Sequence, residues 1–160
     1  MTLDPGLEQR LIFLLRIVSK EIQHLEYSDQ KVFTTPFSVQ QVELMDADPE
    51  FAEAVEAFVG RFGRLQDTVG DKLVPAWLKA SQEKVSVAID NLDKAEKAGM
   101  LESVDQWIGL RRQRNAMVHE YMEDPDELSE VLNRAHIGVG LLIDTAKRLI
   151  ADIENKFLDK

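Results

Sequence analysis

Leu128-Ser129-Glu130-Val131-Leu132-Asn133-Arg134-Ala135-His136-Ile137-Gly138-Val139, in the last quarter of a 160-residue chain, carries its apolar residues three and four positions apart. The same spacing continues through Leu142, Ile143, Ala146, Leu149, Ile150, Ile153 and Phe157. One face of an α-helix repeats at those steps, whereas a strand alternates at steps of two. The stretch therefore predicts a structural helix of about eight or nine turns with one face in a core. Asp124-Pro125 supplies its start, an acceptor side chain followed by a residue with no N–H to leave unpaired. His136 flanks the stripe and is expected on the helix surface.

The other helices follow from the same two signals. Asp4-Pro5 opens a helix of about six turns through Leu7, Leu11, Leu14, Leu15, Val18, Ile22 and Leu25. Ser28 to Phe37 breaks that period and reads as a loop. Ser38-Val39-Gln40-Gln41 has the capping-box pattern and predicts a short helix to about Met45. Asp48-Pro49 opens a long helix through Phe51, Val55, Phe58, Phe62, Leu65, Val69 and Leu73. Pro75 is expected to end or kink it near Val74, with Trp77 and Leu78 packing beyond. Gly60 and Gly63 weaken that helix by roughly 1 kcal/mol each relative to Ala, which suggests a close neighbour there. Gln82 to Lys97 predicts a further helix through Val85, Ala88, Ile89 and Leu92, stopped by Gly99. Ser103-Val104-Asp105-Gln106, a second capping box, opens one more, with Val104, Trp107, Ile108, Arg111, Asn115 and Val118 along one side. No segment shows sustained strand alternation. The fold class predicted is all-α, an antiparallel-type helical bundle of four long helices plus one or two short ones, forming one domain over 1–160.

The chain has 19 basic and 29 acidic residues, a net charge of −10, and no cysteine. A thiolate metal site, a disulfide framework and a cysteine nucleophile are thereby excluded. His24, His119 and His136 show no local ligand spacing, so no metal and no cofactor are expected. His24 and Tyr27 lie near the end of the first helix and could approach a site, though a lone histidine there is expected to be a solvated surface residue. Met1 to Pro5 lacks a basic leader, and Leu11 to Leu15 is too short an apolar run to span a bilayer. A cytoplasmic protein with no membrane partner is expected. The charge balance opposes a broad grip on nucleic acid, because polyanion affinity is built from Lys and Arg neutralising phosphates.

Against that acidic background, Arg111-Arg112-Gln113-Arg114-Asn115-Ala116-Met117-Val118-His119-Glu120-Tyr121 concentrates cations beside an imidazole. A histidine gives or takes a proton near neutral pH, and arginine offers fixed donors to phosphate oxygens. These are the groups that cleave a phosphodiester without metal: a base for a ribose 2′-hydroxyl, an acid for the leaving oxygen, and a cation for the charged transition state. The need for a 2′-hydroxyl makes RNA the expected substrate, and DNA is not expected. Arg112, Asn115 and His119 fall on one helix face, with Arg114 about 140° round from His119. Polar Arg111 and Asn115 interrupt the apolar side, which a cleft or a dimer seam explains. The plainer reading has Arg114 at the surface, Asn115 bonding locally and His119 as a cation favoured at a helix end.

The order Arg114, Asn115, His119, Tyr121 resembles the signature of HEPN domains, in particular the HepT-like toxin branch. Arg61-Phe62-Gly63-Arg64-Leu65-Gln66-Asp67 and Gly70-Asp71-Lys72-Leu73 are similar to words of that branch, so the likeness extends over most of the chain. The resemblance implies a helical bundle that forms a homodimer with the two motifs facing each other, acting as a metal-independent endoribonuclease. It implies Arg114 and His119 as catalytic residues and Asn115 as a supporting one. It also implies a nucleotidyltransferase antitoxin as partner, adding nucleotides to Tyr121. Arg111 and Arg112 are read as substrate-positioning charges. The alternative is a non-catalytic module that binds nucleotide or the nucleotidyltransferase with the same residues.

Overall fold

The computed structural model describes residues 3–119 and 124–158, with His119 described by its backbone alone. Among the described residues the chain is helical and contains no strand. The long elements are α1 (Pro5–Val32), α3 (Pro49–Thr68), α6 (Val104–His119) and α7 (Pro125–Ile153), and the short ones are α2 (Val39–Ala47), α4 (Val74–Ala80) and α5 (Ala88–Lys97). A π-helical turn, Val69–Leu73, joins α3 to α4 without a break, so the two make one rod; a second, Glu154–Leu158, follows α7. Counted with that rod as one member, the bundle has four long helices and two short ones, as the apolar periods predict.

Five helix starts, those of α1, α2, α3, α6 and α7, lie where the sequence puts them. Asp4 accepts from the Leu7 N–H, Asp48 from Glu50 and Phe51, and Asp124 from Asp126 and Glu127, with proline next in each case. Ser38 and Gln41 form the reciprocal capping box. Ser103 Oγ accepts from the Gln106 N–H, and Glu96 Oε1 covers the neighbouring Val104 N–H. Gly99, at φ 82°, ends α5 in the left-handed conformation that suits a residue without Cβ.

The helix ends are less faithful to the apolar count. Helix α1 runs through Val32, where a loop was expected from Ser28. Leu25, Ser28 and Val32 continue its buried stripe, and a serine there is satisfied because Arg61 Nη1 donates to Ser28 Oγ at 2.8 Å. Pro75 does not end its helix either. Its ring would press on a carbonyl one α-turn back. The preceding π turn widens the backbone there, with the Val74 N–H reaching back to Val69 O. Conversely α5 begins at Ala88, not Gln82. The Asn91 side chain bonds both the N–H and the carbonyl of Ser86, and Lys94 Nζ donates to Lys84 O at 2.7 Å, holding the approach to the helix extended.

One core runs between the rod and its neighbours, with Phe58, Phe62, Leu65, Trp107, Leu11 and Leu142 among its buried members. Thr68 pairs with Glu21 and Arg61 with Ser28, so α1 and α3 run antiparallel. Gly63 faces Arg114 and Gly70 faces Trp107, so α3 and α6 are antiparallel too. On its other side α6 packs on α7, where Leu110 fills the space left by Gly138. Trp77 Nε1 donates to Asp152 Oδ2 at 2.8 Å and ties α4 to the end of α7. No described helix is long and apolar enough to cross a membrane.

Candidate functional site

Helix α6 lies between α3 and α7, and that position sets which of its residues face inward. Val104, Trp107, Leu110 and Met117 are buried, with Arg114 half-buried between the last two. The side expected from the sequence is therefore corrected: Asn115 and Val118 are exposed, as is Arg112, while Arg111 is half-buried. Asn115 consequently leaves no buried amide in need of a partner. A helix sandwiched by two neighbours buries two overlapping stripes, and a single-stripe reading follows neither.

Arg114 is where the inward face turns polar. Its Nη1 and Nη2 donate to Asp67 Oδ1 and Oδ2 at 3.2 and 2.9 Å, a fork that fixes the guanidinium plane. The close approach is made possible by Gly63, one turn before Asp67 on α3. A Cβ there would stand 3.1 Å from Arg114 Nε and 3.2 Å from its Cγ. The neighbour expected at the two glycines is thus the Arg114 stem at Gly63, whereas a Cβ at Gly60 would meet nothing within 4 Å. Two of the five guanidinium N–H groups serve Asp67, and the rest have no partner among the described residues.

That groove is an open cavity of about 410 Å³ between α3 and α6. Arg64, Lys72 and Arg114 bring positive charge to its walls, Asp67 and Asp71 negative, and Val118 stands at its rim one residue before His119. Arg111 and Arg112 do not line it. The His119 side chain and Tyr121 lie outside the described residues, so the imidazole and the phenol assigned to this site are placed only by their position in the chain.

Behind the groove, Glu21 of α1 is half-buried. Its Oε2 lies 3.1 Å from Thr68 Oγ1, which also lies 2.9 Å from Arg64 O, and its Oε1 is buried without a partner among the described residues. Burial pushes this carboxyl up from the ordinary 4.5, against the opposing pull of the Thr68 hydrogen bond and of Arg64 and Lys72. Neither Glu21 nor the role of Asp67 is singled out by apolar periodicity or by the arginine-rich motif. The signal for Asp67 was the glycine four residues before it on the same face, opposite a long cation.

His136 lies at the helix surface as expected, with its side chain 39% exposed, but it has partners there. Nδ1 lies 2.6 Å from Asp29 Oδ1, and the ring stacks on Phe33 at 4.4 Å between centroids. This pair fastens the end of α1 to α7 beside a cavity that shares no residue with the groove at Arg114. His24 is exposed, and its carbonyl accepts from Arg61. The described residues contain no group of three or more His, Asp or Glu placed to hold a metal ion. Compared with models of protein families, with curated proteins and with solved structures, the chain matches none.

Proposed function

We propose that the α3–α6 groove is the catalytic centre of a HEPN-type, HepT-like endoribonuclease that works without metal as the toxin of a toxin–antitoxin pair. The observation that carries this reading is the convergence of the motif on α6 with two neighbouring words of the α3 rod, far from it in the chain. Asp67 and Gly63 of one word, Asp71 and Lys72 of another, and Arg114 of the motif share a single cavity. Arg114, held flat by Asp67, offers its remaining donors to the phosphoryl oxygens as negative charge builds on them. His119, one residue beyond Val118 of the groove, serves as general base to the ribose 2′-hydroxyl or as general acid to the leaving oxygen, one role per chain. One imidazole on one chain cannot stand on both sides of the phosphorus. A second copy, related by a two-fold axis, supplies the other proton-transfer group, and the active form is a homodimer. Asn115, exposed on α6, supports the mate's site across that axis rather than its own. Arg111 and Arg112, outside the groove of their own chain, position the substrate from there too. The antitoxin is a nucleotidyltransferase that modifies Tyr121 and so blocks the groove mouth, and the protein works in the cytoplasm.

The deciding experiment is RNA cleavage in the presence of a chelator by the wild type and by His119→Ala. Cleavage by the wild type and loss in the variant is the expected result; equal cleavage by both removes the assignment. A second reading is favoured by the Asp67 fork itself, because an arginine already paired with a carboxylate suits holding a nucleotide as well as breaking one. In that case the chain is a binding module for the nucleotidyltransferase. Incubation with that enzyme and ATP then adds mass to the wild type and to His119→Ala alike, with no RNA cleavage by either; mass added equally to Tyr121→Phe rules out the phenol as acceptor.

A further inference from the structure

The groove does not stop at Arg114. A second cavity, of about 270 Å³, opens beside it where α4 meets α1, and the two share Asp71 and Lys72 on their common wall. The second cavity adds Arg10 of α1 and Lys79 of α4. Arg114, Arg64, Lys72, Arg10 and Lys79 thus line one continuous track, faced among the described residues by two acids, Asp67 and Asp71. In a chain of 19 basic and 29 acidic residues this local excess of cations reverses the overall balance. Arg10, Arg64, Lys72 and Lys79 are exposed, and of the five cations Arg114 alone has a carboxylate partner among the described residues. Glu21, half-buried behind the groove, stands near Arg64 and Lys72 but does not line either cavity.

We infer that this track is the path of a single RNA strand leading into the cleavage centre, an inference that rests on the reading of the groove as an RNA-cleaving site. Its length fits: from Arg64 to Lys79 the rod rises about 22 Å at 1.5 Å per residue, the reach of a few nucleotides of an extended strand. Its walls fit a single strand better than a duplex. Leu7, Pro75 and Val85 in the second cavity and Val118 in the first place apolar surface beside the cations, and Val85 and Val118 are 39% and 57% exposed. Unpaired bases can rest on such surface while phosphates meet the charges, whereas a duplex presents mainly phosphate and sugar.

The test compares two double variants with the same change of net charge, Arg10→Gln with Lys79→Gln on the track and Lys97→Gln with Lys147→Gln away from it. Binding of a labelled oligouridylate is measured against salt, with circular dichroism melting to confirm that each variant is folded. The track pair is expected to weaken binding about tenfold and to flatten the plot of log affinity against log salt by about 1.4, since each phosphate contact on a single strand contributes about 0.7. The other pair is expected to bind as the wild type does. Equal effects of the two pairs, no effect of either, no binding by the wild type, or a duplex bound as tightly as the single strand would each overturn the track. The cleavage reading is separated by Arg114→Ala. If that variant loses cleavage while the track pair binds normally, the track alone fails; if it cleaves like the wild type while the track pair loses affinity, the cleavage assignment alone fails.

Discussion

At the level of single residues, the site is governed by how two carboxyl groups treat their neighbours. Asp67 is a charge partner: its side chain and that of Arg114 are 39% and 31% exposed, so water screens the pair and its worth to folding is small. Asp67→Asn is therefore expected to cost no more than about 1 kcal/mol in urea unfolding. The same change lets the guanidinium turn, and cleavage is expected to fall well over tenfold, since a misplaced group loses much of its effect on the transition state. Glu21 behaves in the opposite way, because burial favours its neutral form. Its folded-state value lies above 4.5, so the native chain holds a proton that the unfolded chain releases first. The stability tied to that proton is complete below pH 4.5 and is lost as pH rises through the raised folded value. Urea titrations across that interval are expected to show a falling limb in the wild type that is absent from Glu21→Gln.

At the level of elements, glycines decide how closely helices meet, and identical residues give opposite outcomes. A Cβ at Gly60 meets open space, so Gly60→Ala is expected to raise stability by up to about 1 kcal/mol through helix propensity alone. Gly63→Ala gains the same propensity but crowds Arg114, so its thermal midpoint is expected to rise less while cleavage drops. Gly138 is tighter still, because a Cβ there would overlap Leu110 of α6. Gly138→Ala is expected to cost about 1–3 kcal/mol, and adding Leu110→Val should recover part of it, measured as a coupling energy in a double-mutant cycle. The elements also show what the sequence could and could not say. Helix starts were legible because an Asp or Ser cap followed by proline or a capping partner is a local device. The end of α1 was not, since Ser28 in the stripe counts as polar until Arg61 is seen to satisfy it. The continuation past Pro75 depended on the π turn, and the late start of α5 on Asn91 folding back over Ser86. Arg114 was picked out by its motif, but its inward direction came from α6 having a neighbour on each side.

At the level of the whole molecule, the proposed mechanism needs two copies, and this has a simple signature. Specific cleavage activity is expected to fall on dilution in step with the dimer fraction from sedimentation equilibrium; activity proportional to concentration through full dissociation would remove the second copy from the mechanism. The arrangement of charge has a further consequence. Five of the 19 basic residues line one strip while the chain as a whole carries a net charge of −10, so the charge beside the cleft is opposite in sign to that of the molecule as a whole. A polyanion is pushed away from most orientations of approach and drawn in along one, so encounter becomes an act of alignment. Such a protein would travel with other acidic proteins on an anion-exchange column while still carrying nucleic acid on its far side.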